Sequence, residues 1–314
     1  MKAVRYHQYG GPDVLRFEEV PIPEVGPEEV LIKVSATAFN PADAMFRMGL
    51  LKDMIPLQLP FTPHADVSGV IEKAGESVKG LKTGDKVFAF LDMTRNGAAA
   101  EYVVSKAVDV ALAPKNISLQ DAGAIPGTAT TAWQGIFEHG KLQSGQRLLI
   151  VAAAGGVGSF ALQFAKWKGA YVIGSDAEET FSKLKELGID EVINYKTESI
   201  TDQVTEKVDV ILNLSPIDPG DVTKLLPLLK KGGTLVSTLN PADENVAKEL
   251  GVNAVTMAVQ RSAAHLSQIA ALVDEGVVKP FISERLPFSN LAAAHEKFGQ
   301  THGKVLILVD SSLD

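Results

Sequence analysis

The 314-residue chain has no cysteine. That excludes a disulfide framework, a thiolate zinc site and a cysteine nucleophile. It suits a reducing compartment. Excess positive charge is missing too: 30 Lys and Arg stand against 38 Asp and Glu, a net charge of −8. The balance argues against a broad electrostatic footprint for nucleic acid. No uninterrupted apolar run approaches the length of a membrane span. The opening MKAVRYHQYGG lacks the apolar stretch of a signal peptide. Low-complexity tracts, internal repeats and a flexible Gly/Ser linker are also absent. The expectation is a cytoplasmic protein with no nucleic-acid partner and no membrane span.

With 46% apolar and 22% charged residues, the chain can bury a sizeable core. Its length allows about two domains. Residues up to about Pro114 are mostly β in character. Short alternating or β-branched runs, such as EEVLIKVSATAF and DKVFAFL, are punctuated by GGPD, PIPEVGP and GLKTGD. From about Ser118 the pattern changes. RLLIVAA, AYVIGSD, VDVILNLS, GTLVSTL and NAVTMAV are apolar strands separated by helix-like segments at Ser159–Lys168, Ala177–Leu187, Asp221–Lys231 and Pro241–Leu250. Such alternation indicates a parallel sheet covered on both faces. RSAAHLSQIAALVDEG is a further helix, after which PFISERLPF and GKVLILVD return to β. The fold class is α/β, with residues 118–279 forming a doubly wound domain and residues 1–117, joined by 280–314, forming a β-rich one.

The stretch LLIVAAAGGVGSFALQFA, from Leu148 to Ala165, carries the most chemistry. A strand, a glycine turn and a helix follow one another. Dinucleotide-binding turns read G-x-G-x-x-G. Here Ala153 takes the first position, Gly155 the second and Gly158 the third, with Gly156 extra. Each glycine has a reason: a tight turn, close approach to pyrophosphate, and close helix–strand packing. Ala at the first position is tolerated if φ stays negative there. Asp176 ends the next strand, where a carboxylate can accept from ribose hydroxyls. The alternative is a small-residue turn between packed elements.

Together, MKAVRYHQYGGPDVLRFEEVPIPEVGPEEVLIKVSATAFNPAD, HADVSGVIEKAG, GLKTGDKV, TTAW, AAAGGVGSFALQFAK, LGIDEVINY and GKVLILV resemble the medium-chain dehydrogenase/reductase superfamily. The resemblance spans nearly the whole chain and is nearest to the zinc-independent quinone oxidoreductase branch, the ζ-crystallin-like proteins. It implies a GroES-like barrel, a Rossmann domain, a nicotinamide in the cleft between them, and a two-fold dimer through the Rossmann sheets. Zinc alcohol dehydrogenases of the superfamily carry a Cys where Asn40 stands and a Gly-His-Glu motif where this chain has His64, Ala65 and Asp66. Their four-cysteine structural lobe is missing here. The ligand set for tetrahedral zinc is therefore not matched, and no zinc is expected.

Without a metal to polarise an alcohol, the expected reaction is hydride transfer from NAD(P)H to a quinone or an α,β-unsaturated carbonyl. By the resemblance, Asn40 lies near the nicotinamide and Thr131 contacts its amide or ribose. Gly155, Gly156 and Val157 face the pyrophosphate, and Tyr195 lies near the adenosine ribose beside Ser175 and Asp176. Met45, Phe46 and Met257 are candidate walls of the acceptor pocket. Each has a plain alternative: Asn40 can cap the turn before Pro41, Thr131 can be a helix hydroxyl, Tyr195 a strand-end aromatic, and the pocket residues core. Asp43 and His64 are candidate proton carriers, yet Asp43 suits a helix start and His64 a structural role. No single essential catalytic residue stands out. Asp176, Glu178 and Glu179, with no basic residue before Lys183, lean the cofactor preference toward NADH. A rival reading is a nucleotide-binding redox sensor or scaffold with little turnover.

Overall fold

The computed structural model describes Met1 to Leu313. The chain packs as two units, Met1–Gly127 with the stretch from Arg261 onward, and Thr128–Gln260.

The first unit is built on the strand Glu29–Phe39, whose residues are apolar or small at most positions and largely buried. Along one edge it pairs antiparallel with Asp66–Ala74. Along the other, Tyr102–Lys106 takes its first half and Lys304–Leu308 its second. These strands belong to one seven-stranded sheet, beside a two-stranded one formed by Lys2–Arg5 and Arg16–Glu19. Val305 is opposite Phe39, so the C-terminal strand delivers Lys304 to the end of the central strand. A helix, Pro41–Arg47, starts there. Proline suits its first position because no N–H is needed, and the Asp43 carboxylate accepts from Asn40 N at 2.8 Å. Val4, Phe39, Ala44, Leu291, Val305 and Ile307 close the core on this side.

Residues 118–127 and 261–279, expected with the doubly wound domain, pack with this unit. The short helix Leu119–Ala122 lies on strands Glu29–Phe39 and Asp66–Ala74. The helix Ala263–Asp274 lies on Val110–Leu112, and its Asp274 carboxylate accepts from Lys115 N and Asn116 N at 2.6 and 2.9 Å.

The second unit holds a six-stranded, wholly parallel sheet. Its strands run across the sheet as Glu191–Asn194, Tyr171–Asp176, Arg147–Val151, Val208–Asn213, Leu229–Ser237 and Asn253–Thr256. Numbered along the chain, that is the order 3-2-1-4-5-6 of doubly wound nucleotide-binding sheets. The strand order reverses beside Arg147–Val151. Leu149, Val151, Ile173, Ile211 and Leu235 anchor one core face.

Several helices differ from expectation for legible reasons. Asp221–Lys231 is not one helix: a short one spans Pro219–Thr223, a 3-10 turn holds Leu226–Leu228, and the next strand starts at Leu229. Pro227, inside that turn, has no N–H to continue a helix. Ala177–Leu187 becomes a 3-10 turn, Glu178–Thr180, and a helix, Phe181–Glu186. The helix expected from Pro241 starts at Glu244 because Asp243 caps it, accepting from Asn245 N and Val246 N. The helix after the glycine turn starts earlier than expected, at Gly156. Helix Pro126–Trp133 continues into a π-helical segment, Gln134–His139. Among the described residues no helix is long and apolar enough to cross a membrane.

Candidate active site

In the second unit, the glycine turn sits where the strand order reverses, the usual place for a ligand on such sheets. Ala152, just after strand Arg147–Val151, has φ 66. For a residue with a Cβ this costs about 1–2 kcal/mol. Ala153, at the first fingerprint position, does not have a positive φ, so its methyl group is accommodated. The strained residue lies one position earlier than the motif suggests. Ala152 N and Ala153 N both donate to Ser175 O, at 3.0 and 3.1 Å. The buried Asp176 carboxylate accepts from Ala154 N at 2.7 Å and Ala177 N at 2.8 Å. Asp176 therefore ties the turn to the neighbouring strand. Tyr195 N donates to Asp176 O at 3.4 Å, and the Tyr195 side chain is 56% exposed. Gly155, Gly156, Val157, Ser175, Asp176 and Tyr195 thus gather at one end of the sheet.

The turn fits a dinucleotide by its own geometry. A Cβ on Gly158 would lie 2.5 Å from the carbonyl oxygens of both Ala152 and Ala153, so this glycine is required by packing. Gly155 differs. Its φ is −66, and a Cβ there would meet nothing nearer than 3.5 Å. Neither backbone dihedral nor packing demands glycine there beyond its role as the helix N-cap, and the space beside it is open to a bound group. The first N–H groups of the 13-residue helix Gly156–Lys168 have no intrahelical partner and favour an anion. Thr131 is half-buried on Pro126–Trp133. Met257 is buried, with its sulfur 3.5 Å from where a Gly135 Cβ would stand. Met45 and Phe46 belong to the other unit, so the three candidate pocket walls are divided between the units.

In the first unit, Asn40, Asp66 and Lys304 form a buried cluster. Lys304 is 3% exposed and Asp66 0%. The Lys304 ammonium donates to Asn40 Oδ1 at 2.7 Å, Asp66 Oδ2 at 3.1 Å and Phe39 O at 3.1 Å. Its three hydrogens are all used. Asn40 Nδ2 donates to the same Asp66 Oδ2 at 2.9 Å, and Gly127 N donates to Asp66 Oδ1 at 2.6 Å. Sequence reasoning named Asn40 but missed Lys304 and the role of Asp66. The one available signal was a lysine opening the apolar run KVLILV.

A second buried chain adjoins it. Asp43 accepts from Asn40 N through Oδ2 and from His64 N through Oδ1, at 2.8 and 3.2 Å, the arrangement of a helix-start carboxylate. Burial, reinforced by the nearby Asp66 charge, pushes its pKa up to about 7, against the pull of these N–H groups and Lys304. His64, itself at φ 76, faces His295 with Nε2 to Nε2 at 3.1 Å. Arg47 Nε donates to His295 Nδ1 at 3.2 Å. An arginine nitrogen only donates, so His295 carries its proton on Nε2 and donates to His64. His64 is then protonated on Nδ1, which faces Thr37 Oγ1 at 3.4 Å, and Thr37 donates onward to Asp66 O at 2.5 Å. Burial lowers the pKa of His64 to about 3, helped by Lys304, and that of His295 to about 2, helped by His64 and Arg47. Both rings are neutral at pH 7. Phe46, Asp43 and His64 line a cavity of about 10 Å³, room for about one water.

A family model described as "Alcohol dehydrogenase GroES-like domain" matches residues 26–115, and one described as "Zinc-binding dehydrogenase" matches residues 187–307. The chain is 32% identical over 325 residues to "Quinone-oxidoreductase QR1, chloroplastic" of Triphysaria versicolor, covering 98% of each chain. It is 33% identical over 320 residues to "NADPH-dependent alkenal/one oxidoreductase, chloroplastic" of Arabidopsis thaliana, covering 98% of this chain and 79% of that one. The quinone oxidoreductase structure from Coxiella burnetii superposes with a TM-score of 0.90 at 30% identity, covering 99% of both chains. The zinc in the second model's description does not suit the residues present. Asn40 and Ala65 offer no thiolate or imidazole, and the Asp66 carboxylate is already held by an ammonium. Among the described residues no three His, Cys, Asp or Glu side chains converge.

Proposed function

The chain belongs to the medium-chain dehydrogenase/reductase superfamily, in its zinc-independent quinone oxidoreductase branch, and on that premise we propose that it uses NAD(P)H to reduce quinones or α,β-unsaturated carbonyls. The observation that carries this reading is the open cradle at Gly155, set at the reversal point of a 3-2-1-4-5-6 sheet. Bound reduced nicotinamide supplies the hydride. The protein supplies binding, orientation and polar groups for developing charge. Gly155, Gly156 and Val157 are proposed to hold the pyrophosphate. Ser175, Asp176 and Tyr195 are proposed for the adenosine ribose, and Thr131 and Asn40 for the reacting end. Met45, Phe46 and Met257 remain proposed apolar walls. Asp43 and His64 are each engaged within the protein, which supports positioning roles for them and water as the proton source.

A panel of quinones and 2-alkenals, followed at the reduced nicotinamide absorbance band, tests the reading. Acceptor-dependent oxidation is expected. Tight nucleotide binding without turnover across the panel would instead favour a redox sensor or scaffold.

The proposed cofactor preference leans to NADH. Asp176 ends strand Tyr171–Asp176 and Glu178 and Glu179 follow in the next turn, which supports the lean: on the proposed ribose site, a 2′-phosphate about 4 Å from a carboxylate costs on the order of 1 kcal/mol even in water. Lys196 is the nearby cation, but Glu179 already pairs with it at 2.9 Å. Because Asp176 also ties down Ala154, the clean variant is Glu179→Gln, which frees Lys196. Its ratio of kcat/KM for NADPH over NADH is expected to rise about fivefold, the equivalent of about 1 kcal/mol. A wild type that already prefers NADPH overturns the lean. A cytoplasmic location is likewise proposed, on the complete absence of cysteine.

A further inference from the structure

The buried cluster at the end of the central strand does more than fill space. We propose that Lys304, balanced by Asp66, is a positioning residue that locks the Asn40 side-chain amide so that one Nδ2–H donates to the carbonyl oxygen of the acceptor. This rests on the quinone or enone reductase reading.

The amide has only one consistent orientation. Its Oδ1 faces an ammonium at 2.7 Å and its Nδ2 faces a carboxylate at 2.9 Å. A flip would set the amide nitrogen against the ammonium and the amide oxygen against the carboxylate. The backbone is pinned as well, through Asn40 N to Asp43 Oδ2 at 2.8 Å. Lys304 and Asp66 are almost wholly buried, whereas Asn40 is half-buried, so the cluster meets solvent at Asn40. With Oδ1 and one Nδ2 hydrogen turned inward, the second Nδ2 hydrogen is the polar group left to face outward. It has no protein partner among the described residues. The ammonium on Oδ1 also polarises the amide and strengthens that donor.

The chemistry matches. When a hydride, with its two electrons, adds to the acceptor carbon, the conjugated carbonyl oxygen becomes an oxyanion, and a proton from water completes the product. A donor already aimed at that oxygen needs no reorganisation during the step. Water in its place would have to reorient.

A double-mutant cycle tests the proposal. Lys304→Met alone would strand the buried Asp66 charge, so the first arm is Lys304→Met with Asp66→Asn, which removes both charges and keeps an oxygen for Gly127 N. The second arm is Asn40→Ala, and the third combines all three changes. Asn40→Ala is expected to lower kcat about 100-fold, and the charge-neutral pair about 10-fold or more. Nucleotide affinity of the charge-neutral pair, measured by fluorescence titration, should stay near wild type. The combination should be no slower than Asn40→Ala, because the pair acts through the amide. Full additivity overturns the proposal. So does an Asn40→Asp variant, which keeps the Lys304 contact but has no Nδ2–H, retaining wild-type kcat. That variant leaves the Lys304–Asp66 pair in place and keeps the proposal testable if the neutral pair fails to fold. Side-chain amide NMR gives a readout independent of turnover. The inward Asn40 Nδ2 proton, held on Asp66, should exchange slowly in wild type and at the rate of ordinary exposed amides in the neutral pair; ordinary exchange of that proton in wild type overturns the clamp. A wild type inactive with every acceptor sinks the functional reading instead, while the NMR result still judges the clamp.

Discussion

His64 and His295 lie buried, neutral and hydrogen-bonded to each other, so folding and protonation compete. Their folded pKa values, about 3 and about 2, lie below the ordinary 6.5. The stability they contribute is whole above pH 6.5 and is lost as pH falls toward those lower values, because only the unfolded chain takes up the protons. Asp43 works in the opposite sense. Its pKa rises from 3.8 to about 7, so its contribution is whole below 3.8 and is lost as pH rises through 7. Between about pH 4.5 and 6, the two histidines outweigh the one carboxyl by a single proton, or about 1.4 kcal/mol per pH unit. Asp43→Asn removes the opposing proton. The loss of stability as pH drops should therefore steepen by about 1.4 kcal/mol per pH unit relative to wild type, measured by urea unfolding across that range. Parallel lines for the two proteins would contradict the buried, protonated Asp43. Asn40, Asp43 and His64 could be singled out from sequence because the resemblance and the turn chemistry of NPAD fall on them. Their partners could not. Lys304 lies 264 residues from Asn40, His295 231 from His64 and Arg47 248 from His295; the pairing of Lys304–Leu308 with the central strand and the packing of helix Leu291–Glu296 on the same core join such distances.

The strand–turn–helix around the glycines was legible because period, composition and motif agree there. Strand order and the Asp176 bond to Ala154 were not, since both depend on contacts between strands. The helix expected over Asp221–Lys231 breaks at Pro227, whose missing N–H overrides the apolar periodicity around it. Within the turn, the glycines separate into two kinds, and substitutions should separate them too. Gly158→Ala puts a methyl 2.5 Å from two carbonyl oxygens. It should cost about 1–3 kcal/mol of stability, seen as a lower Tm with or without nucleotide. Gly155→Ala meets only ordinary contacts at an ordinary φ, so its stability cost is limited to the weaker N-cap, about 0.5–1 kcal/mol. Its nucleotide Kd should nevertheless rise about 10-fold or more, the equivalent of about 1.4 kcal/mol, as the methyl takes phosphate space. If Gly155→Ala binds as tightly as wild type, the cradle is not where the phosphates sit.

At the level of the whole molecule, the two kinds of sequence texture announced two kinds of sheet. What they left open is how the parallel sheet ends. Glu191–Asn194 and Asn253–Thr256 each have a neighbour on one side only. Exposed strand edges are templates for further pairing unless something blunts them. The first edge carries Glu191, which is engaged by Tyr171 at 2.6 Å and Arg147 at 3.5 Å. The second, Asn253–Thr256, carries no charge, with Ala254 and Val255 half-buried. Two copies meeting at this edge through a two-fold axis would pair it with itself, antiparallel, and extend one sheet through both. If the two-fold dimer that the family resemblance implies forms, it is expected to join at Asn253–Thr256. Thr256 is exposed, so Thr256→Lys should leave the fold intact while placing a lysine on each edge strand at the seam, a charge that edge strands use to resist further pairing. Light scattering after size exclusion should then give a dimer mass for wild type and a monomer mass for the variant, with unchanged far-UV circular dichroism. A wild type that is monomeric at every concentration rules out the dimer, and a variant that stays dimeric moves the interface to another surface.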